Sequence, residues 1–240
     1  MRRFLFILIC CVLASCENKE DVLLNEILFT NNDERLINYY TVNDTQRESC
    51  FIEEFDDNSS QFPYPIGIYT DAEVCIANSK MTINFFVDSG YIHFMSIPIE
   101  IDEKRNFEME TSLIIYRNDS VWHTFAWLPN QLGTDNIYTI DYEQHKDSKD
   151  KTIGMITLWK KFADRHWERI EGYDFNEKSF HNSSEFTVLT IRKIGDKYAI
   201  FINHKLFYII NDKNFSYIPT ITMVENVINV FDYFRVYYLP

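Results

Sequence analysis

Phe186–Asp212 reads FTVLTIRKIGDKYAIFINHKLFYIIND, three short runs of alternating residues separated by two turn signals. Alternation sets Leu189 and Ile191 on one face and Thr190 and Arg192 on the other. After a turn at Ile194-Gly195-Asp196-Lys197, Tyr198, Ile200 and Ile202 share a face. Asn203-His204 then turns the chain into Lys205–Ile210. Period-two patterning punctuated by Gly, Asp and Asn is the mark of a β-meander. Asn203-His204 has the length of a type I′ turn, which needs φ > 0 at both positions, and a histidine there stores strain that a glycine would not.

The pattern repeats outward from the meander. Cys50–Phe55 alternates and ends in the loop signal Asp56-Asp57-Asn58-Ser59-Ser60. Ala72–Ala77 and Lys80–Val87 flank a turn at Asn78-Ser79, and Tyr91–Ile97 stops at Pro98. Phe107–Tyr116 and Val121–Leu128 read as a hairpin, and Ile137–Tyr142 and Thr152–Phe162 flank the charged loop Glu143–Lys151. Ile218–Val224 and Val227–Tyr238 follow the meander, the last expected beside the first strand. Asp164–Ser184 shows no clean alternation and reads as a long loop. Short strands without helical periodicity predict an all-β chain, a two-sheet antiparallel sandwich over residues 48–240. Fifteen Tyr and twenty Phe, with only six Gly and six Pro, agree with strands rather than with linkers.

Several of these words resemble the concanavalin A-like lectin/glucanase jelly roll, including its LamG-like members. They are L-T-I-R-K-x-G-D-K-Y and I-N-x-K-L in the meander, F-x-x-x-F-x-D-N from Phe51, A-E-V-x-I-x-N from Ala72, and K-x-x-I from Lys80. The resemblance implies a sandwich that hosts carbohydrate binding in some members and glycoside hydrolysis in others. A fold by itself does not choose between them.

Residues 1–15 carry a location signal. Arg2-Arg3 form a basic start and Phe4–Val12 an apolar run too short to span a bilayer, followed by Leu13-Ala14-Ser15-Cys16. That tetrapeptide resembles a bacterial lipobox, which implies acylation of the Cys16 thiol and cleavage before it. An ordinary secretory signal with an incidental cysteine is the alternative. Asn18, rather than Asp, follows Glu17, so the expected address is the outer membrane, facing the periplasm or the surface. Residues 16–47 then read as a lipidated tether, with a short helix over Val22–Phe29 capped by Asp21. The formal charge is −13, and becomes −15 once Arg2 and Arg3 are removed with the signal. Such an acidic body repels phosphate backbones, so nucleic acid is not an expected partner.

Candidate sites follow from residue chemistry. Cys50 and Cys75 remain after processing, outside the reducing cytosol, and are either bridged or free. Glucanases of the resembling fold carry E-x-D-x-x-E or E-x-D-x-E on one strand, aiming nucleophile and acid at one face. The nearest matches are Glu100-Ile101-Asp102-Glu103 and Glu108-Met109-Glu110; both lack the full spacing and are expected on solvated faces. No catalytic residue is assigned. His93, His123, His145, His166, His181 and His204 show no metal-ligand spacing, and no metal or cofactor is expected; Asp56, Asp57 and Asn58 offer oxygens for a structural calcium, but ordinary turn chemistry accounts for them better. Trp122 and Trp167 are the candidate ligand platform: Trp122 faces away from the core side of its strand, and Trp167 falls in the unpatterned loop. Trp127 shares a face with Phe125 and is expected in the core, while Trp159 is compatible with either face. The expected function is a non-catalytic, lipid-anchored binding module, with a glycan or an envelope protein as partner. A glycoside hydrolase and an accessory subunit of a membrane complex are the alternatives.

Overall fold

The computed structural model describes residues 33–57, 67–68, 72–85, 92–96, 101–102, 104–117, 125–127, 137–146, 152–162, 166–174, 186–211, 220–224 and 227–240. It is a two-sheet antiparallel β-sandwich. The nine-stranded sheet contains β1 (Glu48–Glu53), β2 (Gly67–Ile68), β3 (Ala72–Ile76), β4 (Met81–Phe85), β6 (Asn106–Arg117), β11 (Thr187–Ile194), β12 (Lys197–Ile202), β13 (Lys205–Ile210) and β15 (Val227–Leu239). Its strand order is β13-β12-β11-β6-β15-β4-β3-β2, with β1 also paired to β15. The six-stranded sheet contains β5 (Ile92–Ser96), β7 (Phe125–Trp127), β8 (Ile137–Lys146), β9 (Thr152–Lys161), β10 (Trp167–Asp174) and β14 (Thr220–Val224), in the order β10-β9-β8-β7-β14-β5.

The meander folds as its alternation dictates. Leu189, Ile191, Tyr198, Ile200 and Ile202 enter the central core with Phe107, Met109, Phe231, Phe234 and Val236. Ile140, Ile156 and Leu158 meet them from the other sheet. Each turn adopts the dihedrals that its length requires. Gly195 has φ 59, the positive first position of a type II′ turn, and Asn203 and His204 have φ 48 and 65, as a type I′ turn needs. Asn78 and Ser79, with φ 54 and 53, form a third tight turn without glycine, closed by the paired backbone bonds of Ala77 and Lys80. Val227–Leu239 lies beside the first strand, with Glu48 opposite Tyr238 and Glu53 opposite Phe234.

Three readings are corrected. Phe107–Tyr116 does not form a hairpin with Val121–Leu128: β6 pairs with β11 and β15, and β7 belongs to the opposite sheet. Adjacency along the chain suggested a hairpin, but two successive apolar strands are buried equally well by opposite layers. Secondly, part of the expected loop Asp164–Ser184 is strand β10, paired along β9 with a bulge between Arg169 and Glu171. The bulge shifts the phase by one residue and breaks the alternation on which the reading depended.

The third correction concerns Cys50 and Cys75, which are two free, half-buried thiols. β1 and β4 lie end to end along the same edge of β15: Phe51 pairs with Val236, whereas Thr82, the neighbour of Cys75, pairs with Val230. That offset along β15 is roughly 20 Å at 3.3 Å per residue. A disulfide needs Cα atoms about 5.5–6 Å apart.

Residues 33–47, placed by sequence in the tether, pack on the outer face of the nine-stranded sheet. They form a strap: helix α1 (Glu34–Ile37), then 3₁₀ turns at Tyr39–Thr41 and Asp44–Gln46. Asp33 caps α1 by accepting from the Arg35 amide at 3.0 Å. Leu36 and Val42 of the strap bury themselves with Ile194, Ala199, Phe201 and Leu239 in a second, smaller core. The expected helix at Val22–Phe29 lies outside the described residues, as do the whole signal and Cys16.

Candidate functional site

Two outer faces carry chemistry, one on each sheet. On the nine-stranded sheet, β6 turns Phe107, Met109 and Leu113 into the core, which leaves Glu108 and Glu110 on the strap side. Register sets Arg192 beside Glu108 and Thr190 beside Glu110. None of these four is solvated. The strap covers them, and Arg192 is fully buried.

Each carboxylate under the strap is saturated. Arg192 donates through Nε to Glu108 Oε2 at 2.6 Å, and Arg47 donates through Nε to Glu108 Oε1 at 2.9 Å. The remaining donors of Arg192 read the strap's backbone: Nη1 reaches the carbonyls of Arg35 at 2.8 Å and Asn38 at 3.2 Å, and Nη2 that of Tyr39 at 2.9 Å. Glu110 instead accepts three hydroxyls, Tyr39 at 2.6 Å, Tyr233 at 2.8 Å and Thr190 at 3.0 Å. Burial, reinforced by the Glu110 charge and its hydrogen bonds, pushes the phenols of Tyr39 and Tyr233 far above the ordinary tyrosine value. Among the described residues the Arg47 Nη2 is the buried side-chain polar atom without a hydrogen bond, and its guanidinium lies 5.4 Å from the Tyr39 ring centroid.

The expectation of a solvated face for Glu108 and Glu110 is therefore corrected. Sequence alternation showed that they face away from the core; it could not show a strap bonded from 60 or more residues away. Their chemistry is nonetheless not catalytic. A general acid or a nucleophile must reach a substrate, and these carboxylates are covered and bonded to guanidinium and hydroxyl groups. Asp102, from the other acidic match, is exposed, and its amide donates to the Tyr238 hydroxyl at 2.9 Å; Glu100 lies outside the described residues.

The other face lies on the six-stranded sheet. Tyr138 and Ile140 of β8 enter the core, as do Ile156 and Leu158 of β9. Positions 157 and 159 of β9 alternate with these and face away from the core, and Thr157 is nonetheless buried there, at 3% exposure. Register pairs Thr139 with Trp159, Asp141 with Thr157, and Glu143 with Met155. On the edge strand β10, Arg169 lies opposite Trp159 and Trp167 opposite Lys161, which puts Trp167 and Trp159 on the same face. Trp167 is 44% exposed, and Trp159 is half-buried. The β9–β10 connection is closed by the Phe162 amide donating to the His166 carbonyl at 2.8 Å, with the two rings stacked 6.1 Å apart.

This lane contains what the sequence reading missed. Thr139-Ile140-Asp141-Tyr142-Glu143 resembles the E-x-D-x-E spacing in its last two acids alone, with Thr139 where that spacing has the first. A search that let one of the three acids vary would have found it. Of the predicted platform, Trp167 sits on a strand rather than in a loop, and Trp122 lies outside the described residues, as does the Trp127 side chain. Asp56 and Asp57 are exposed, Asn58 is outside the described residues, and among the described residues no three His, Cys, Asp or Glu gather as a metal site. No described helix is long and apolar enough to cross a membrane.

No protein-family model matches the chain, and no curated protein matches it in sequence. Solved structures do match in fold. The CBM2 module of the evolved Dit protein of Lactobacillus casei BL23 phage J-1 is similar at 10% identity and a TM-score of 0.50, over 81% of this chain and 96% of that one. The catalytic domain of an endo-1,3-beta-glucanase (laminarinase) from Thermotoga petrophila RKU-1 is similar at 15% identity and 0.49, over 80% and 97%. The botulinum neurotoxin serotype D binding domain is similar at 12% and 0.43, over 79% of this chain. The chain spans about half the length of that neurotoxin domain, 47% of it. At these identities the likeness concerns the fold alone.

Proposed function

We propose that this protein is a lipid-anchored protein of the bacterial outer membrane whose sandwich binds a glycan without cleaving it. The observation that carries the reading is the outward lane of the six-stranded sheet. There Trp159 on β9 and the exposed Trp167 on β10 share a face, to one side of the β8 sequence T-I-D-Y-E. Indole faces stack on the C–H faces of sugar rings, while carboxylate and amide groups bond ring hydroxyls. Retaining hydrolysis needs two carboxyl groups about 5–5.5 Å apart, one of them as nucleophile. In the glucanase pattern the first acid of the strand fills that role, and here it is Thr139. A hydroxyl at that position can bond a sugar but lacks the charge that stabilises an oxocarbenium-like transition state. The anchor is supported by Leu13-Ala14-Ser15-Cys16 following a basic start and a short apolar run.

A platform whose outer tryptophan stays 44% exposed desolvates its ligand incompletely, so the expected affinity is modest, with Kd on the order of 10 μM to 1 mM. The test is a glycan array run beside a hydrolysis screen on the mature chain, with Trp167→Ala as the paired variant. Binding without turnover, lost in Trp167→Ala, supports the reading. Turnover by the unaltered chain transfers it to a hydrolase, and a blank array leaves a protein partner in its place.

A further inference from the structure

Every other arginine whose side chain is described has a carboxylate: Arg35 has Asp33, Arg47 and Arg192 share Glu108, Arg105 has Glu48, and Arg235 has Glu54. Arg169 is exposed, and among the described residues it makes no hydrogen bond, ion pair or ring contact. A shortage of acids does not explain this, since the chain has 36 Asp and Glu against 23 Lys and Arg. Its position does. Arg169 pairs directly with Trp159, and Trp167 lies two positions earlier on the same face of β10. Two residues span roughly 6–7 Å along a strand, and adjacent strands lie about 4.8 Å apart. The guanidinium is therefore within side-chain reach of a sugar ring seated on either indole. The nearest acids on β10 turn the other way. Glu168 pairs with Lys160, whose ammonium lies 5.0 Å from the ring centroid of buried Tyr138, and Glu171 pairs with the core residue Leu158. The bulge between Arg169 and Glu171 produces this change of face, as bulges at sheet edges do.

We propose that the glycan taken by this face is acidic, carrying a carboxylate or sulfate group, and that Arg169 is the residue that selects it. The proposal rests on the glycan-binding reading above and names the class of sugar. A guanidinium presents a planar fork of N–H donors that matches two oxygens of a carboxylate or sulfate. Hydrogen bonds of that charged kind are roughly twice as strong as the neutral ones a sugar hydroxyl offers. The net charge of −13 opposes an anionic ligand at a distance, but that repulsion is the weaker effect. At about 0.15 M salt the Debye length is about 8 Å, so acids elsewhere on the body are largely screened. Asp141 and Glu143 of β8 stand two strands from β10, roughly 10 Å away. A group in contact with Arg169, at about 3 Å, is not screened in this way. Because Arg169 is exposed, the gain stays modest, about fivefold to tenfold in affinity.

The test is an array of matched glycans probed with the mature chain, followed by titration of those that bind. Polyuronates stand beside their carboxyl-reduced forms, sulfated glycans beside their desulfated forms, and neutral glycans alongside. Arg169→Gln, Arg169→Lys and Trp167→Ala are measured in parallel, with the melting temperature of each as the check on folding. The charged member of a pair should bind about fivefold to tenfold more tightly than its neutral form, and the pair that shows this tells carboxylate from sulfate. Arg169→Gln should bring the charged member down to the neutral one and leave the neutral one unchanged. Arg169→Lys keeps the charge without the fork and should restore part of the difference. Trp167→Ala should weaken both members alike. Equal binding within every pair, binding confined to neutral glycans, or a preference that survives Arg169→Gln overturns the acidic-sugar proposal and leaves glycan binding intact. An array blank for charged and neutral glycans alike overturns both.

Discussion

His204 holds φ 65 in a two-residue turn, a backbone state that costs a side-chain-bearing residue about 1–2 kcal/mol relative to glycine. Its ring also stacks on Tyr39, and an aromatic pair contributes about 0.5–1.5 kcal/mol. The two terms nearly cancel, so His204→Gly should change stability by less than about 1 kcal/mol. In a Tyr39→Ala background the stack is already lost, and the same substitution should stabilise by about 1 kcal/mol. Denaturant titration of the four proteins checks this, and a destabilising His204→Gly in both backgrounds would refute it. Beneath that stack the two glutamates differ in kind. Glu108→Gln leaves Arg192 and Arg47 buried without their counter-charge and should cost about 3–5 kcal/mol. Glu110→Gln keeps an acceptor for hydroxyls that can rotate, and should cost about 1–3 kcal/mol. The tyrosines on Glu110 add a pH signature. Their folded pKa lies above the unfolded value near 10, so the native state retains protons that the unfolded chain releases. Their contribution is complete below pH 10 and falls above it, by up to about 1.4 kcal/mol per pH unit for each. Urea titrations from pH 9 to 11 should show that slope, reduced in Tyr39→Phe/Tyr233→Phe.

The strap is the element on which the outer face of the nine-stranded sheet depends. Leu36 is its buried plug, and Leu36→Ala should cost about 2–5 kcal/mol. Hydrogen exchange should speed up first in residues 33–47 and leave the meander protected, because the strap adds no ladder bonds to β11 or β12. Equal acceleration throughout would show that the strap and the sandwich open as one unit. The meander was readable from sequence because its turns are local and its alternation is unbroken from Leu189 to Ile202. The strap was not: its apolar anchors, Leu36 and Val42, are isolated among polar residues, and their partners lie some 150–200 positions away. β10 was hidden by its bulge, and the alternate acids of β8, Asp141 and Glu143, were passed over because a threonine, not a third acid, precedes them. The carboxylates that were legible, Glu108 and Glu110, proved to hold the strap.

At the scale of the whole molecule, the strap covers part of one sheet's outer face, and the outer face of the other carries Trp159 and Trp167. If Cys16 carries the proposed lipid, an acidic body should stay with membranes through that anchor alone. Cys16→Ser should therefore release it to the soluble fraction or halt its processing, because a multi-chain anchor far exceeds any peripheral attraction. Unchanged membrane fractionation and unchanged mass in that variant would contradict the anchor. The proposal that the six-stranded face binds a glycan without cleaving it is tested most directly by isothermal titration of array-selected glycans into the mature chain and its Trp167→Ala variant, with product analysis of the same samples. The expected result is saturable, weak binding by the unaltered chain, at least tenfold weaker binding by the variant at unchanged stability, and intact glycan in both. Released sugar from the unaltered chain, or equal binding by the two proteins, would contradict it.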